Sequence, residues 1–222
     1  FRRLYRSYEE IKSMENKLDF DDMLLWTYQL LRDNPAIRRK YQQQFTWILV
    51  DEFQDTNLAQ YEILKLVAPP ENNLFVTGDD YQSIYGWRSA RIDFILDFEQ
   101  DWPGAVIIPL ELNYRSTKNI VEASNRLIAH NLRQYKKDCY ANRDGAVEPI
   151  VRIADDETAE AEMIAEEIKT LCDQDQSEYG YGDIAILYRI NAQSAALEDV
   201  LVRANIPYVI VGALGFYDRK EV

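Results

Sequence analysis

The sequence is short of the residues on which several common kinds of site depend. It has one histidine and two cysteines in 222 residues, which effectively excludes Ser–His triads and histidine-rich metal sites. His130 lies within an apparent helix, where a structural or surface role is expected. Cys139 and Cys172 stand far apart and in no ligand spacing. This usage favours a reduced, cytoplasmic setting over a disulfide scaffold.

Long apolar runs are also missing. No stretch approaches the ~20 apolar residues that a membrane-spanning helix needs, so we expect no membrane partner. The first residues, FRRLYRSYEEIK, are charged and aromatic, without the apolar segment of a signal peptide. The chain starts in what reads as the middle of a helix and stops at DRKEV, without a closing element. We therefore expect it to be a piece of a longer protein.

Positive charge is scarce as well. The sequence has 25 Lys and Arg against 38 Asp and Glu, a formal net charge of −13. This balance argues against a simple basic nucleic-acid binder, because neutralising phosphates requires clustered Lys and Arg. Much of the excess negative charge comes from residues 155–178, where ten carboxylates stand against the single base Lys169. That block is most simply a solvated helix face, so any contact with nucleic acid must be local and elsewhere.

What the chain does have is a regular alternation of short apolar runs and amphipathic segments, typical of an α/β fold. We predict a parallel, doubly wound sheet covered by helices on both faces, with a domain break near residues 103–110. The predicted strands cover residues 46–50, 74–77, 106–110, 149–153, 184–188 and 208–211. The predicted helices cover residues 19–32, 58–67, 92–98, 117–131, 157–171 and 192–204.

The segment WILVDEFQDTN places two adjacent acids directly after an apolar strand, where open α/β sheets bind ligands. This is the arrangement of a Walker B site. Asp51 can hold Mg²⁺ and Glu52 can orient the water that attacks a γ-phosphate. A strand end that runs into a turn and helix cap explains the pair equally simply. Asp55 and Asn57 look like capping residues.

A second candidate site is TGDDYQSIYGWRSAR, residues 77–91, which also follows a strand. The amide of Gln82 can hydrogen-bond both a phosphate oxygen and a water, which suits a sensor of nucleotide state. Tyr85, Trp87 and Arg88 combine aromatic rings with a cation, as sites for single-stranded nucleic acid do. Core packing remains the alternative for Trp87, although its neighbours make a poor pattern for burial.

The third candidate site is LELNYRST, residues 110–117. Tyr114 offers a flat ring to a base and Arg115 a fixed cation, which could act as an arginine finger. Ser116 or Thr117 then begins a helix, whose N-terminus favours anions. A helix cap beside an ordinary surface arginine is the competing interpretation.

Taken together, VDEFQDTN, GDDYQSIYGWRSA and LNYRST resemble motifs II, III and IV of the superfamily-1 DNA helicases of the UvrD/Rep/PcrA type. LDFDDML and IPYVIVGALGFYDRKEV resemble flanking segments of the same family. The resemblance implies parts of two RecA-like domains, each with a parallel sheet flanked by helices. Residues 1–18 would be the tail of an inserted helical subdomain, 19–108 the C-terminal part of the first RecA-like domain, and 109–222 the N-terminal part of the second.

The resemblance also implies roles at an ATP site between those domains, with ATP and Mg²⁺ as cofactors. Asp51 and Glu52 would be the metal residues, and Glu52 would also act as catalytic base. Gln82 would sense the γ-phosphate and couple its hydrolysis to movement. Tyr114 would stack on adenine, and Arg115 would reach the γ-phosphate from the second domain.

For DNA, the resemblance implies that Tyr85, Trp87 and Arg88 meet the single strand, with Trp87 stacking on a base. Two departures from the family pattern lie nearby: Tyr81, where the family often has Asp, and Ser89, where Gly is common. Neither removes a residue with an implied role.

We therefore expect a fragment of an ATP-dependent 3′–5′ DNA helicase that acts on single-stranded and duplex DNA in repair or replication, with protein partners from those processes. The sequence contains no GxxxxGK[ST] phosphate loop, so the fragment alone should be inactive. Two alternatives stay open. One is a non-catalytic helicase-like binding or scaffold protein, and the other is a nuclease in which Asp51, Glu52 and Asp55 hold two metals.

Overall fold

A computed structural model describes residues 1–68, 73–145, 147–173 and 178–211 of the chain. By compactness the chain divides into Phe1–Pro149 and Ile150–Val222, and each unit is described separately. The α-helices are Arg2–Met14 (α1), Phe20–Asp33 (α2), Pro35–Gln44 (α3), Leu58–Val67 (α4), Asp93–Leu96 (α5), Phe98–Asp101 (α6), Lys118–Ile128 (α7), Glu157–Cys172 (α8) and Ser194–Arg203 (α9). The strands are Trp47–Val50 (β1), Asn73–Val76 (β2), Leu112–Thr117 (β3) and Tyr140–Arg143 (β4).

Two of the predicted helices begin at reciprocal caps. Asp19 accepts a hydrogen bond from the backbone N–H of Asp22, whose carboxylate accepts one from the N–H of Asp19, at the start of α2. Asn57 and Gln60 make the same exchange at the start of α4, with both distances 3.0 Å. Each pair satisfies N–H groups that the first helical turn leaves without partners. The predicted starts of these helices are confirmed.

Strands β1 and β2 are parallel and pair from Trp47 with Asn73 to Val50 with Val76. The ladder continues past both strands, because Thr77 N–H donates to the Val50 carbonyl at 2.8 Å. Phe53 N–H then donates to the Thr77 carbonyl at 2.9 Å. The residues that follow the two strands are therefore held side by side at one edge of the sheet.

An aromatic core lies beneath that edge. Phe53 and Tyr61 are almost fully buried, and Phe94 is buried beside them. The Tyr61 and Phe94 rings stack with their centroids 3.9 Å apart, while Phe98 meets Phe53 edge-on at 5.5 Å. Because Phe53 directly follows Glu52 in sequence, this packing anchors the backbone at the carboxyl end of β1.

The second sheet of the first unit differs from the prediction. No strand is assigned at 106–110 within the described residues, and Val106 and Leu110 are both 83% exposed. Strand β3 lies further along the chain at Leu112–Thr117, where a loop and helix cap were predicted, and pairs in parallel with β4. The apolar run predicted a strand only a few residues from the observed one. A strand also needs a hydrogen-bonding partner, and the run does not specify which segment that partner is.

The second unit is built on a helix pair. Helices α8 and α9 pack through a small apolar cluster, to which Ile206 also contributes. The predicted strands at 184–188 and 208–211 form no ladder within the described residues, and nor does the one at 149–153. The buried members of the cluster are Ala161, Ala165, Ile168, Val200, Leu201 and Ile206.

Parallel strands with flanking helices confirm the predicted α/β class and are consistent with parts of RecA-like domains. The boundaries predicted after residues 18 and 108 separate subdomains of the helicase family, whereas the division after Pro149 separates compact units. The two predicted boundaries stay predictions. Across the described ranges no helix is long and apolar enough to cross a bilayer.

Candidate functional site

Asp51 directly follows β1, and its Oδ1 atom is held by two donors. The Thr77 hydroxyl donates to it at 2.6 Å, and the Glu52 backbone N–H donates at 3.0 Å. These hydrogen bonds, with that from Thr77 the larger cause, hold the pKa of Asp51 below its usual range. An ionised carboxylate of this kind is the hard oxygen donor that Mg²⁺ prefers, so the residue present fits the metal.

Glu52 has an unusual backbone conformation. Its φ and ψ are 50° and 41°, in the left-handed region that costs a residue with a side chain about 1–2 kcal/mol. The conformation is held on the C-terminal side by buried Phe53, and the Glu52 carboxylate accepts a hydrogen bond from Gln54 Nε2 at 2.7 Å. Strained backbone that its surroundings enforce is concentrated at functional sites.

Gln54 is a site residue that the sequence analysis missed. It is 1% exposed, and its amide bridges two loops. Nε2 donates to Glu52 Oε2, while Oε1 accepts from the backbone N–H of Asp79 at 3.0 Å. An amide that is buried with both ends paired specifies one arrangement of its neighbours. Its position two residues after the acid pair is the only signal for it in the sequence.

Gly78 makes this bridge possible. A Cβ atom at position 78 would lie 2.8 Å from Gln54 Oε1 and 2.9 Å from Ile95 Cδ1. A side chain at position 78 would therefore displace the Gln54 amide oxygen and the end of the Ile95 side chain. The glycine is required here by close approach rather than by a left-handed backbone.

Asp55 and Asn57 have different roles from each other. Asn57 caps α4, as predicted. Asp55 does not cap that helix: it lies in a short 3₁₀ turn, and its Oδ1 atom is buried without a hydrogen-bond partner in the described structure. Burial, and then the charge of Glu52, raise the pKa of Asp55. The expectation that Asp55 is a capping residue is wrong, because the reciprocal bonds with Gln60 come from Asn57.

Gln82 is connected to the acid pair through Asp79. It ends a 3₁₀ turn, Asp80–Gln82, and its Nε2 atom donates to Asp79 Oδ2 at 2.7 Å. Since the Asp79 backbone N–H is bound by Gln54, a continuous path of hydrogen-bonded residues runs from Glu52 to Gln82. The structure thus links the predicted base to the predicted sensor through two intervening residues, and Gln82 itself is exposed.

Tyr85, Trp87 and Arg88 form an aromatic and cationic surface patch. Trp87 is 66% exposed, which removes core packing as an explanation for it. The Arg88 guanidinium carbon lies 4.6 Å from the centroid of the Trp87 ring and 5.3 Å from that of Tyr85. Exposed rings with a cation over them offer stacking surface and positive charge at one place.

The turn that carries this patch is fastened to the segment after the acid pair. Asn57 and Ala90 form an antiparallel bridge, and Arg91 N–H donates to the Thr56 carbonyl at 3.1 Å. Ser89 closes the turn with φ of 67°, a left-handed conformation that favours glycine. Residues 56–57 and the turn that carries the aromatic patch are therefore joined through the backbone.

Tyr114 and Arg115 lie on β3, with both side chains exposed. Asn113 Oδ1 accepts from the backbone N–H groups of Arg115 and Ser116, at 3.0 and 2.8 Å. Thr117 is at the cap position of α7 but makes no side-chain cap hydrogen bond. Among the described residues, no hydrogen bond or ion pair joins Arg115 to the acid pair or to Gln82, so the structure does not bring these groups into contact.

Comparison with known sequences finds relatives over nearly all of the chain. The family model of the UvrD/REP helicase N-terminal domain matches residues 1–103, and that of the UvrD-like helicase C-terminal domain matches residues 108–222. The chain is 45% identical to "ATP-dependent DNA helicase PcrA" of Staphylococcus epidermidis over 219 residues, 99% of this chain and 30% of that protein.

Two further relatives carry the same name. The Staphylococcus aureus protein is 43% identical, with 99% of this chain and 30% of the relative covered. The Leuconostoc citreum protein is 42% identical, with 99% and 29% covered. The chain thus spans less than a third of the length of these relatives.

Proposed function

Because this chain belongs to the UvrD/Rep family of helicases, we propose that it forms part of an ATP-dependent 3′–5′ DNA helicase. The enzyme hydrolyses ATP to move along single-stranded DNA and to separate duplexes. Relatives named as ATP-dependent DNA helicases match 99% of the chain, which supports the assignment. The observation that carries it is the path Glu52–Gln54–Asp79–Gln82, which links an acid suited to activating water with an amide suited to sensing phosphate.

In this proposal Asp51 and Glu52 hold Mg²⁺, with Asp51 as the main ligand through its ionised carboxylate. When bound, the metal neutralises charge that develops on the phosphate oxygens of ATP. Glu52 orients the attacking water and accepts its proton. The hydrogen bond from Gln54 keeps the Glu52 carboxylate in one position, so that little reorganisation is needed when the water arrives.

The remaining roles follow from exposed groups. Gln82 binds the γ-phosphate region through its amide and reports its loss to the loops that Gln54 joins. Arg115 stabilises charge on the transferring phosphoryl group, and Tyr114 stacks on adenine. Tyr85, Trp87 and Arg88 contact single-stranded DNA by stacking and by charge. We place the enzyme in the cytoplasm, in DNA repair or replication, with protein partners from those processes.

The test is Glu52→Gln in the full-length gene product. Removing the basic carboxylate while keeping the shape should lower the rate of ATP hydrolysis, stimulated by single-stranded DNA, by about 100–1,000-fold. Duplex unwinding should fall with it. The matched control is Glu99→Gln, an exposed position on α6 that should retain the wild-type rate within about two-fold.

Other outcomes would identify the alternatives. DNA cleavage with Mg²⁺ or Mn²⁺ and without ATP would indicate a nuclease. DNA binding by a wild-type protein that hydrolyses no ATP would indicate a helicase-like scaffold. A Glu52→Gln enzyme with the wild-type rate would remove Glu52 from the role of catalytic base.

A further inference from the structure

A lysine from a distant part of the chain lies between Asp79 and Asp80, the two acids at the start of the turn that ends at Gln82. Lys137 Nζ is 2.5 Å from Asp79 Oδ1 and 2.9 Å from Asp80 Oδ1. The Lys137 side chain is 14% exposed and that of Asp80 is 2% exposed. Breaking so shielded an ion pair from one side leaves an uncompensated charge, which makes the loss far larger than for a surface pair.

Two tyrosines hold the Lys137 segment against the same turn. The Tyr81 hydroxyl lies within hydrogen-bond distance of the carbonyls of Tyr135 and Lys137, at 3.1 and 3.2 Å. The Lys137 ammonium is 4.0 Å from the centroid of the Tyr81 ring. Tyr135 N–H donates to Asp80 Oδ2 at 2.8 Å. Backbone and side-chain contacts therefore act together to hold Lys137 beside this turn. Tyr81 contributes a hydroxyl that the aspartate often found there in the family would lack.

Asp79 connects Lys137 to Gln82. One of its carboxylate oxygens binds Lys137, and the other accepts from the Gln82 amide. Burial opposes the charge on Asp79, but the hydrogen bonds from Lys137 and Gln82 outweigh burial and lower its pKa. Two adjacent carboxylates repel each other unless a cation lies between them. Without Lys137, the turn that bears Gln82 loses the group that balances both acids.

We propose that Lys137 is a positioning residue for Gln82, acting through Asp79 to keep the Gln82 amide in its working orientation. The inference rests on the proposed function, because it takes Gln82 as the phosphate sensor. Lys137 belongs to the stretch matched by the C-terminal helicase domain, and Gln82 to the stretch matched by the N-terminal one. The orientation of the sensor therefore depends on a charge from the other matched stretch.

The experiment uses the full-length gene product with saturating single-stranded DNA. Lys137→Met keeps an unbranched side chain one atom shorter and removes the charge. We expect kcat for ATP hydrolysis to fall about 10–100-fold while KM for ATP changes less than about three-fold, because Gln82 acts mainly on the transferring phosphoryl group. Lys137→Arg should recover part of the lost rate. The matched control is Lys136→Met, an exposed neighbour that should stay within about two-fold of wild type.

Two results would overturn the inference. One is a Lys137→Met enzyme whose kcat equals that of the wild type. The other is a multiplicative loss when Lys137→Met is combined with Gln82→Ala. If Lys137 acts through Gln82, the double variant should be within about two-fold of Gln82→Ala alone, since residues that act as a unit are not additive.

Further measurements keep the inference separate from the proposed function. If wild-type protein hydrolyses no ATP, the proposed function fails, and crystal structures of wild type and Lys137→Met decide the inference. Displacement of the Gln82 amide from Asp79 in the variant alone supports it, and an unchanged amide overturns it. If Lys137→Met does not fold, Tyr81→Phe removes only the hydroxyl contact and should lower kcat about two- to five-fold. An unchanged kcat would then contradict the inference.

Discussion

At the scale of single residues, the site depends on uncharged groups that fix charged ones. Gln54 pairs with Glu52 at one end and with the Asp79 backbone at the other, and it is almost fully buried. The Thr77 hydroxyl donates to Asp51 at the exposed edge of the sheet. Polar groups that are buried and fully paired cannot turn away without leaving a partner unsatisfied. The Glu52 carboxylate is thereby held by a buried partner before any ligand binds.

Trp87→Ala tests the aromatic patch in the full-length gene product. Because the ring is exposed beside Arg88, its loss should remove a stacking platform without opening a cavity in the core. We expect binding of single-stranded oligonucleotides to weaken by about 1–3 kcal/mol, with affinity for ATP unchanged within about two-fold. Fluorescence anisotropy with a labelled oligonucleotide measures DNA affinity, and titration with a fluorescent ATP analogue measures nucleotide affinity.

Trp26→Ala is the control for this change, because Trp26 is also about half exposed but lies on α2, away from the patch. It should leave DNA affinity as in wild type. Equal DNA affinity for wild type and Trp87→Ala would show that the ring is not on the path of the single strand.

At the scale of elements, what could be predicted follows from what is local. The starts of α2 and α4 are encoded by residues three apart, Asp19 with Asp22 and Asn57 with Gln60. Strands β1 and β2 were predictable because each apolar run ends in a polar turn at the carboxyl edge. The strand at Leu112–Thr117 was missed, because its partner lies at Tyr140–Arg143 and nothing local marks the pairing.

The candidate site divides in the same way. Asp51, Glu52, Gln82 and the aromatic patch stand out by residue type and by position after strands. Lys137 does not stand out in this way. Its partners Asp79 and Asp80 lie 58 and 57 positions earlier in the sequence, and one lysine in a polar segment carries no signal of such distant contacts. Gln54 could not be identified from the sequence, because its burial is visible only once the loops are packed. The roles assigned to these residues remain predictions.

The cap of α4 offers a test at this scale. Asn57→Ala removes the acceptor for the Gln60 N–H, whereas the backbone bridge from residue 57 to Ala90 remains. We expect the free energy of unfolding to fall by about 1 kcal/mol. Urea unfolding followed by circular dichroism measures it. Asn57→Ser retains a capping oxygen and should recover most of the loss, while a serine variant as weak as the alanine one would contradict a capping role.

At the scale of the whole molecule, distant stretches are joined by charge. Within Phe1–Pro149, Arg133 pairs with Asp93 and, at 2.6 Å, with Asp97. Lys137, four residues after Arg133, pairs with Asp79 and Asp80. In a chain with a net charge of −13, these two cations neutralise acids that come from a distant stretch of the sequence.

The 222-residue polypeptide itself should not hydrolyse ATP. Its sequence has the acids and the glutamine but no GxxxxGK[ST] loop to hold the phosphates. We expect phosphate release at the buffer background and weak nucleotide binding by calorimetry. The full-length gene product serves as the positive control. Turnover by the polypeptide comparable to that of the full-length protein would refute this expectation.

The left-handed backbone at Glu52 lowers the stability of the fold at a residue that we propose for catalysis. Glycine or asparagine would adopt φ of 50° more readily than glutamate does, so the residue proposed for chemistry is not the residue that the backbone favours. Selection of variants for thermal tolerance alone would tend to replace Glu52 and discard its carboxylate. A directed-evolution campaign on this protein therefore needs selection for catalysis at every round.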